Sequence, residues 1–138
     1  MIVVDTKVIA SLVLPTSEET ASAVALLEVD RDWAAPVLWR SEFCNILATG
    51  VRNRWLDLGQ AHEALRIAEE LMEGSGFEVA ATEVLETAVA SHCTAYDSEF
   101  VVLARDLGVR LVTLDSSVLK AFPAIAVSLR EFGGRIGA

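Results

Sequence analysis

The sequence predicts an α/β sandwich around a mostly parallel sheet. Short apolar, β-branched segments alternate with helical patterns along the whole chain, and two of these segments end directly at an aspartate. Strands that alternate with helices favour parallel pairing, because each crossover helix covers a face of the sheet. With 138 residues, the chain is expected to form a single domain over residues 1–138.

The first half of the chain is predicted to contain two strands and four helices. Strands are expected over 2–4, where β-branched residues cluster, and over 32–35, before Pro36. Apolar residues at helical spacing predict four helices, over 6–14, from the Thr16 or Ser17 cap to 29, over 37–55 and over 57–73. Two helix starts carry capping patterns, namely Thr16 with Glu19 and Asp57 with Gln60.

In the second half of the chain, predicted strands again alternate with predicted helices. This half begins after Gly74-Ser75-Gly76, which ends the helix predicted over 57–73. The strands predicted there lie over 77–80, 110–114 and 125–129. The predicted helices lie over 82–91, 97–107 and 116–122, with Gly108 ending the second of them and a tail over 133–138.

Composition narrows the classes of function. Twenty acidic and eleven basic residues give a net charge of −9, so a general basic coat for nucleic acid is not expected. A local acidic site, whose bound cations hold phosphates, stays compatible with this charge. The hydrophobic share of 53%, with eight glycines besides, exceeds the roughly 45–50% of an average soluble domain. That excess indicates apolar surface for a dimer face or a partner groove.

Location and several packing roles also follow from the sequence. No signal-peptide pattern begins the chain, and no apolar run approaches the roughly 20 residues of a membrane helix, so a cytoplasmic protein without a membrane partner is expected. Cys44 and Cys93 lack the spacing of metal ligands and are expected to be buried free thiols. Residues expected in the core or at an interface are Trp33, Trp39, Trp55, Leu58, Ala61, Leu65, Ala68 and Met72.

Four carboxylates are candidate site residues. Asp5 and Asp115 each follow an apolar strand and precede a helix, which places them at the carboxyl edge of a parallel sheet, where such folds bind ligands. Asp97 is expected to be an N-cap, and Glu42 lies mid-helix beside an apolar stripe. Taken singly, each has an ordinary explanation as a helix cap or a solvated side chain, so their combination indicates the site.

A cluster of carboxylates either shifts its own pKa values or recruits a cation. Two carboxylates about 4 Å apart repel by roughly 4 kcal/mol at an effective dielectric near 20. Oxygen ligands without His or Cys favour Mg²⁺ or Mn²⁺ over zinc. The hypothesis is a magnesium site that holds phosphates, activates a water molecule and stabilises the leaving oxygen.

Four segments together resemble a known family. They read Val-Val-Asp5-Thr6, Arg40-Ser41-Glu42-Phe43, Thr94-Ala95-Tyr96-Asp97-Ser98-Glu99-Phe100-Val101-Val102-Leu103-Ala104 and Leu111-Val112-Thr113-Leu114-Asp115. In this order and spacing, they resemble the PIN-domain ribonucleases, and more narrowly the small bacterial VapC-type toxins. The resemblance spans essentially the whole chain, and its most specific part is Tyr-Asp-x-x-Phe-Val-x-Leu-Ala.

The resemblance implies a fold, an activity and partners. The fold is a PIN-like, Rossmann-like three-layer α/β/α sandwich. The activity is that of an endoribonuclease that depends on Mg²⁺ (or Mn²⁺), and the implied partners are an RNA substrate, a VapB-type antitoxin and a second copy in a homodimer.

The resemblance also assigns roles to residues. Carried over by position, the acidic metal-binding residues would be Asp5, Glu42, Asp97 and Asp115. The mechanistic hypothesis that follows is that the three aspartates hold Mg²⁺ at the scissile phosphate, while Glu42 positions or helps deprotonate the attacking water. The supporting polar residues would be Thr6, Thr113 and Ser116. Many relatives carry a further acidic residue where this chain has Ser116 and Ser117, so the number of metal ions stays open at one or two.

Four basic residues and two alternative functions also have to be considered. Lys7, Arg40, Arg52 and Arg54 are candidates for guiding RNA, although each also fits an ordinary cation on a helix surface. The alternative functions are a PIN-domain nuclease of RNA processing or decay without an antitoxin, and a non-catalytic binding or signalling module with an acidic pocket. Dinucleotide-binding and P-loop motifs are absent from the sequence.

Overall fold

The computed structural model describes residues 1–14 and 18–134. The strands are β1 (Ile2–Val4), β2 (Trp33–Pro36), β3 (Gly76–Phe77), β4 (Leu111–Thr113) and β5 (Ala126–Ser128). The helices are α1 (Thr6–Val13), α2 (Thr20–Val29), α3 (Trp39–Arg52), α4 (Leu58–Leu71), α5 (Ala81–Ser91), α6 (Ala95–Leu107), α7 (Ser116–Ala121) and α8 (Leu129–Gly134).

All five strands form one parallel sheet, in the order β3-β2-β1-β4-β5. Val3 in β1 lies opposite Ala34 in β2 on one side and Leu111 in β4 on the other. From β1 the chain proceeds through β2 to β3 in one direction, and β4 and β5 extend the sheet in the other. The sheet therefore has its topological switch point between β1 and β4, the place where open α/β sheets bind ligands.

Helices cover both faces of this sheet, as the predicted three-layer α/β/α sandwich requires. Helix α6 packs against β1, β2 and β4, with α5 against its outer side. On the other face, α8 packs against β4 and β5, and α2 packs against α8 and α1. The strands β1 and β4 are buried along their whole length, which explains why they read as continuous apolar runs.

Several helix ends follow from local sequence signals. Asp57 and Gln60 form the predicted capping box at the start of α4, with hydrogen bonds of 2.7 and 2.9 Å. Gly108 ends α6 in the left-handed region, at a φ of 67°. The cap predicted at Thr16 or Ser17 lies outside the described residues, and α2 begins at Thr20.

Three element predictions are wrong. The strand predicted over 77–80 is only the two-residue β3, Gly76–Phe77, at the edge of the sheet. The tail predicted from residue 133 is preceded by α8, which continues directly from the last strand and ends at Gly134. Helix α3 begins at Trp39, two residues later than predicted, so Glu42 lies in its first turn and not mid-helix.

Some burial predictions are also wrong. Cys44 is exposed and Cys93 is partly buried, so the two free thiols are not both core residues. Trp33 and Trp39 are buried in the core, whereas Trp55 is 44% exposed and Leu58 is 62% exposed, so for these two residues the interface alternative stays a prediction. Along residues 1–14 and 18–134, no helix is long and apolar enough to cross a membrane.

Candidate functional site

Asp5 joins the beginning of α1 to the end of β4. Its Oδ1 caps α1 by accepting a hydrogen bond from the Val8 backbone N–H at 3.0 Å. Its Oδ2 accepts hydrogen bonds from the Thr113 hydroxyl and from the Leu114 backbone N–H. A carboxylate has about four acceptor positions, so one position on Oδ1 is left for a cation. Burial raises the pKa of Asp5, although these hydrogen bonds and the nearby Lys7 oppose the rise.

Asp115 occupies the matching position after β4. Its Oδ1 caps α7 by accepting hydrogen bonds from the Ser117 N–H (2.8 Å), the Ser117 hydroxyl (2.6 Å) and the Val118 N–H (3.3 Å). Its own N–H donates to the Thr113 hydroxyl at 3.0 Å, so Thr113 links the two aspartates. Burial alone would raise the pKa of Asp115, but the hydrogen bonds and Lys7 hold it below its ordinary value.

Glu42 turns toward the same edge of the sheet from the first turn of α3. Its Oε1 accepts a hydrogen bond of 2.7 Å from the Thr6 hydroxyl, whose residue is buried at the start of α1. Burial raises the pKa of Glu42 against the effect of the Thr6 bond, and repulsion by Asp97, Asp5 and Glu99 raises it further. The glutamate is therefore partly buried among other carboxylates and holds its proton more tightly than a surface glutamate.

Asp97 approaches from the first turn of α6, but it is not the N-cap of that helix. Thr94 is the N-cap, and its hydroxyl accepts a hydrogen bond from the Asp97 backbone N–H at 3.0 Å. The predicted capping role is thus wrong, because the threonine three residues earlier supplies the acceptor. Burial raises the pKa of Asp97, repulsion by Asp115 adds to the rise, and Thr94 and Lys7 oppose it.

The four carboxylates thus come from four different parts of the fold. Their charges repel one another at the switch point, and this repulsion raises the pKa of Glu42 and of Asp97. Lys7 is exposed at the start of α1, and its positive charge lowers the pKa of Asp5, Asp97 and Asp115. One lysine does not neutralise four carboxylates, so the group keeps an excess of negative charge.

The donor set fits a hard divalent cation. The carboxylates offer oxygen atoms, and threonine and serine hydroxyls orient them, which is the chemistry that Mg²⁺ and Mn²⁺ prefer. Within residues 1–14 and 18–134, however, no three Asp, Glu, His or Cys side chains lie close enough to form a ready-made metal centre. A cation ligated directly by three of these carboxylates would need them closer together than they lie in this structure, whereas Mg²⁺ bound by one or two carboxylates would keep several water ligands.

The structure places the other predicted site residues differently. Arg40, Arg52 and Arg54 line cavities that contain none of the four carboxylates, whereas Lys7 lies beside them. Ser116 is exposed and makes none of the hydrogen bonds to Asp115, which come from the next residues, Ser117 and Val118. The supporting role predicted for Ser116 therefore belongs to Ser117.

A cavity of about 400 Å³ adjoins Glu42 between the beginnings of α1, α3 and α6. Its walls include Thr6 and Lys7 from α1 and Tyr96 from α6. A larger cavity of about 760 Å³ lies between α3 and α4, but its titratable groups include none of the carboxylates whose pKa is raised. The smaller cavity is therefore the better candidate for holding a substrate beside the acidic group.

Sequence reasoning missed four contributors to this region: Thr94, Tyr96, Glu99 and Ser117. Burial raises the pKa of Glu99, and its charge acts on Glu42. The signal for Thr94 was present, because a threonine three residues before an aspartate is a common N-cap arrangement. No local signal distinguishes Glu99, since its proximity to Glu42 depends on how α3 and α6 pack.

Fold and site together define an α/β protein with carboxylates gathered at the switch point of a parallel sheet. No protein-family model matches the chain, and no curated protein matches it. Among solved structures, the chain is similar to the crystal structure of PAE2754 from Pyrobaculum aerophilum. The two share 22% sequence identity and a TM-score of 0.75, over 99% of this chain and 96% of that chain. At this identity the likeness shows a shared fold.

Proposed function

We propose that this protein is a metal-dependent endoribonuclease that uses Mg²⁺ or Mn²⁺. The observation that carries the proposal is the convergence of Asp5, Glu42, Asp97 and Asp115, from four elements, at the switch point between β1 and β4. An acidic group with one nearby lysine is suited to bind a divalent cation, and a bound divalent cation attracts a phosphodiester.

The direction of the pKa shift sets Asp115 apart from the other three carboxylates, whose pKa values are raised. The lowered pKa of Asp115 keeps this carboxylate ionised, which suits a ligand role. Glu42 is the one of the four that lines the cavity of about 400 Å³, and a carboxylate with a raised pKa is the better proton acceptor near neutral pH.

Each residue then has a defined task. When bound, the cation would supply positive charge for the phosphate and for the leaving oxygen, and acidify a water molecule. Asp5, Asp97 and Asp115 would hold that cation. Glu42 accepts the proton of the attacking water, and the Thr6 hydroxyl orients Glu42 by its hydrogen bond to Oε1.

The proposal extends to location and partners. We place the protein in the cytoplasm, as the toxin of a VapBC-type pair, with a VapB-type antitoxin and a second copy of the chain as partners. Exposed apolar side chains support a protein partner: Leu85 and Val89, one turn apart on α5, are 64% and 69% exposed.

The test is cleavage of total RNA by the purified protein, with Mg²⁺, with EDTA, and with Asp97→Asn. Asp97 is the better target because Thr94 caps its helix, so the substitution leaves the cap intact. Asp5→Asn is a poorer test, since asparagine has one acceptor oxygen, whereas Asp5 accepts from Val8 on one oxygen and from Thr113 and Leu114 on the other. Discrete fragments that require both Mg²⁺ and Asp97 support the proposal, and equal cleavage by both proteins contradicts it.

A second candidate is a non-catalytic module that binds a cation or a partner in its acidic pocket. The observation in its favour is that no three ligating side chains are already clustered among the described residues. Asp5 also devotes three of its acceptor positions to hydrogen bonds within the fold. Under this alternative, Mg²⁺ raises the melting temperature but RNA remains uncut.

A further inference from the structure

The cavity beside Glu42 has a composition that the acidic site alone does not explain. One wall is a single face of α3, where residues recur at helical spacing: Leu38, Ser41, Glu42, Asn45 and Ile46. The opposite side is contributed by the start of α6, through Tyr96. Apolar, polar and aromatic groups therefore surround one space that is continuous with Glu42.

Tyr96 is the one aromatic residue of this set, and its ring is exposed to solvent. Its side chain is 61% exposed, although it directly precedes Asp97 in the first turn of α6. Within residues 1–14 and 18–134, its ring pairs with no other aromatic ring. An aromatic ring left open to solvent beside a polar site is available for stacking against a ligand.

We propose that this cavity, here called the base pocket, holds one unpaired nucleobase of the RNA next to the cleaved bond, stacked on Tyr96. The walls of the base pocket are Lys7, Leu38, Ser41, Asn45, Ile46 and Tyr96, beside Thr6 and Glu42. The inference rests on the proposed nuclease function and deepens it by assigning this cavity, with Tyr96 as the stacking residue, to one base of the substrate.

The side chains of the pocket match both the flat face and the hydrogen-bonding edge of a nucleobase. The Tyr96 ring offers one stacking face, and Leu38 and Ile46 supply apolar contact. Asn45 carries both a donor and an acceptor on its exposed amide, which suits the hydrogen-bonding edge of a base.

The pocket can also contact the RNA backbone, and its stacking face favours single-stranded over duplex RNA. Lys7 lies at the same pocket with an exposed ammonium group that can contact a phosphate. A base in a duplex has both faces covered by its neighbours, so only an unpaired nucleotide can stack on a protein ring.

The experiment measures both binding and cleavage of a short single-stranded RNA of defined sequence, and of the same RNA with one abasic nucleotide at each position in turn. Binding is measured by fluorescence anisotropy with Mg²⁺ in the Asp97→Asn background, and kcat and KM are measured with Asp97 intact. In each background the variants are Tyr96→Ala, Tyr96→Phe and Trp55→Ala. Trp55 is a matched control, because it is a 44% exposed aromatic residue that lines a different cavity.

We expect Tyr96→Ala to weaken binding about 5- to 150-fold, the equivalent of about 1–3 kcal/mol for one stacked base. Tyr96→Phe should bind like the parent because it keeps the ring, and Trp55→Ala should do the same. The RNA whose abasic nucleotide falls at the pocket should lose the same affinity, with no further loss when combined with Tyr96→Ala.

The outcomes separate this inference from the proposed function. Equal binding by the parent and Tyr96→Ala, or additive losses with the abasic RNA, overturns the base pocket. RNA binding that depends on Tyr96 without any cleavage by the protein with Asp97 intact keeps the pocket and overturns the nuclease. Because Tyr96 is exposed, Tyr96→Ala should keep the parent's melting temperature, which confirms that a loss of binding is local.

Discussion

Replacing Thr113 by valine tests the hydrogen bonds that link Asp5 to Asp115. Thr113 is 1% exposed, and valine keeps its shape while removing the hydroxyl. That hydroxyl donates to Asp5 Oδ2 and accepts from the Asp115 N–H at 3.0 Å. We expect the free energy of unfolding to fall by about 2.5–4 kcal/mol. A hydrogen bond to a charged group contributes about 1.5–3 kcal/mol, and an unsatisfied, partly buried N–H adds about 1 kcal/mol.

The loss should depend on pH, because the lost hydroxyl stabilises the ionised form of Asp5. Burial raises the pKa of Asp5 above its usual 3.8, and the Thr113 bond opposes that rise. Without the hydroxyl, the pKa rises further. The cost of the substitution is therefore full above the folded-state pKa of Asp5 in both proteins and shrinks as the pH falls through it.

Urea unfolding at pH 7 and at several acidic pH values measures this cost. Thr87→Val is the matched control, because Thr87 is 7% exposed and its hydroxyl accepts a long hydrogen bond of 3.4 Å from Arg105. The control should lose less than about 1 kcal/mol, with little dependence on pH. A Thr113→Val protein as stable as wild type at pH 7, or one with the same loss at every pH, would refute the proposed link.

Three further predictions address the charges and a remote helix cap. Asp97→Asn should stabilise the cation-free protein at neutral pH, since it removes a charge that burial and Asp115 disfavour. That gain should decrease as the pH falls through the raised folded-state pKa of Asp97 and vanish below its unfolded-state value near 3.8, as urea titrations in EDTA can measure. Mg²⁺ should raise the melting temperature of wild type with increasing concentration, and that of Asp97→Asn by less; equal shifts contradict a shared cation site. Asp57→Ala should cost about 1 kcal/mol in urea unfolding, because it removes the capping box with Gln60, while RNA cleavage stays unchanged.

Local signals predicted much of the framework. The strand residues 2–4 and the start of α4 at Asp57 agree with the structure, since a β-branched run and a capping box act within a few residues. Asp5 and Asp115 were predictable as residues at strand ends, because each follows a short strand within two residues and caps the next helix. The error at Asp97 is local too, since the Thr94 hydroxyl competed for the same capping role.

Other features depend on distant parts of the chain. Thr113 and Asp5 are 108 residues apart in sequence, and their hydrogen bond exists because β1 and β4 are neighbours in the sheet. The exposure of Cys44 and Trp55 likewise depends on which side of each element other helices cover.

The sequence by itself therefore determined the alternation of strands and helices and the placement of two aspartates after strands. These properties depend on side-chain periodicity and on hydrogen bonds between near neighbours. Only the tertiary structure decided that Glu42 and Asp97 turn toward these aspartates, and that Tyr96 stays open beside Glu42. The physical reason is that burial, repulsion between carboxylates and the shape of a cavity depend on distances between elements, which the packing of α1, α3 and α6 sets.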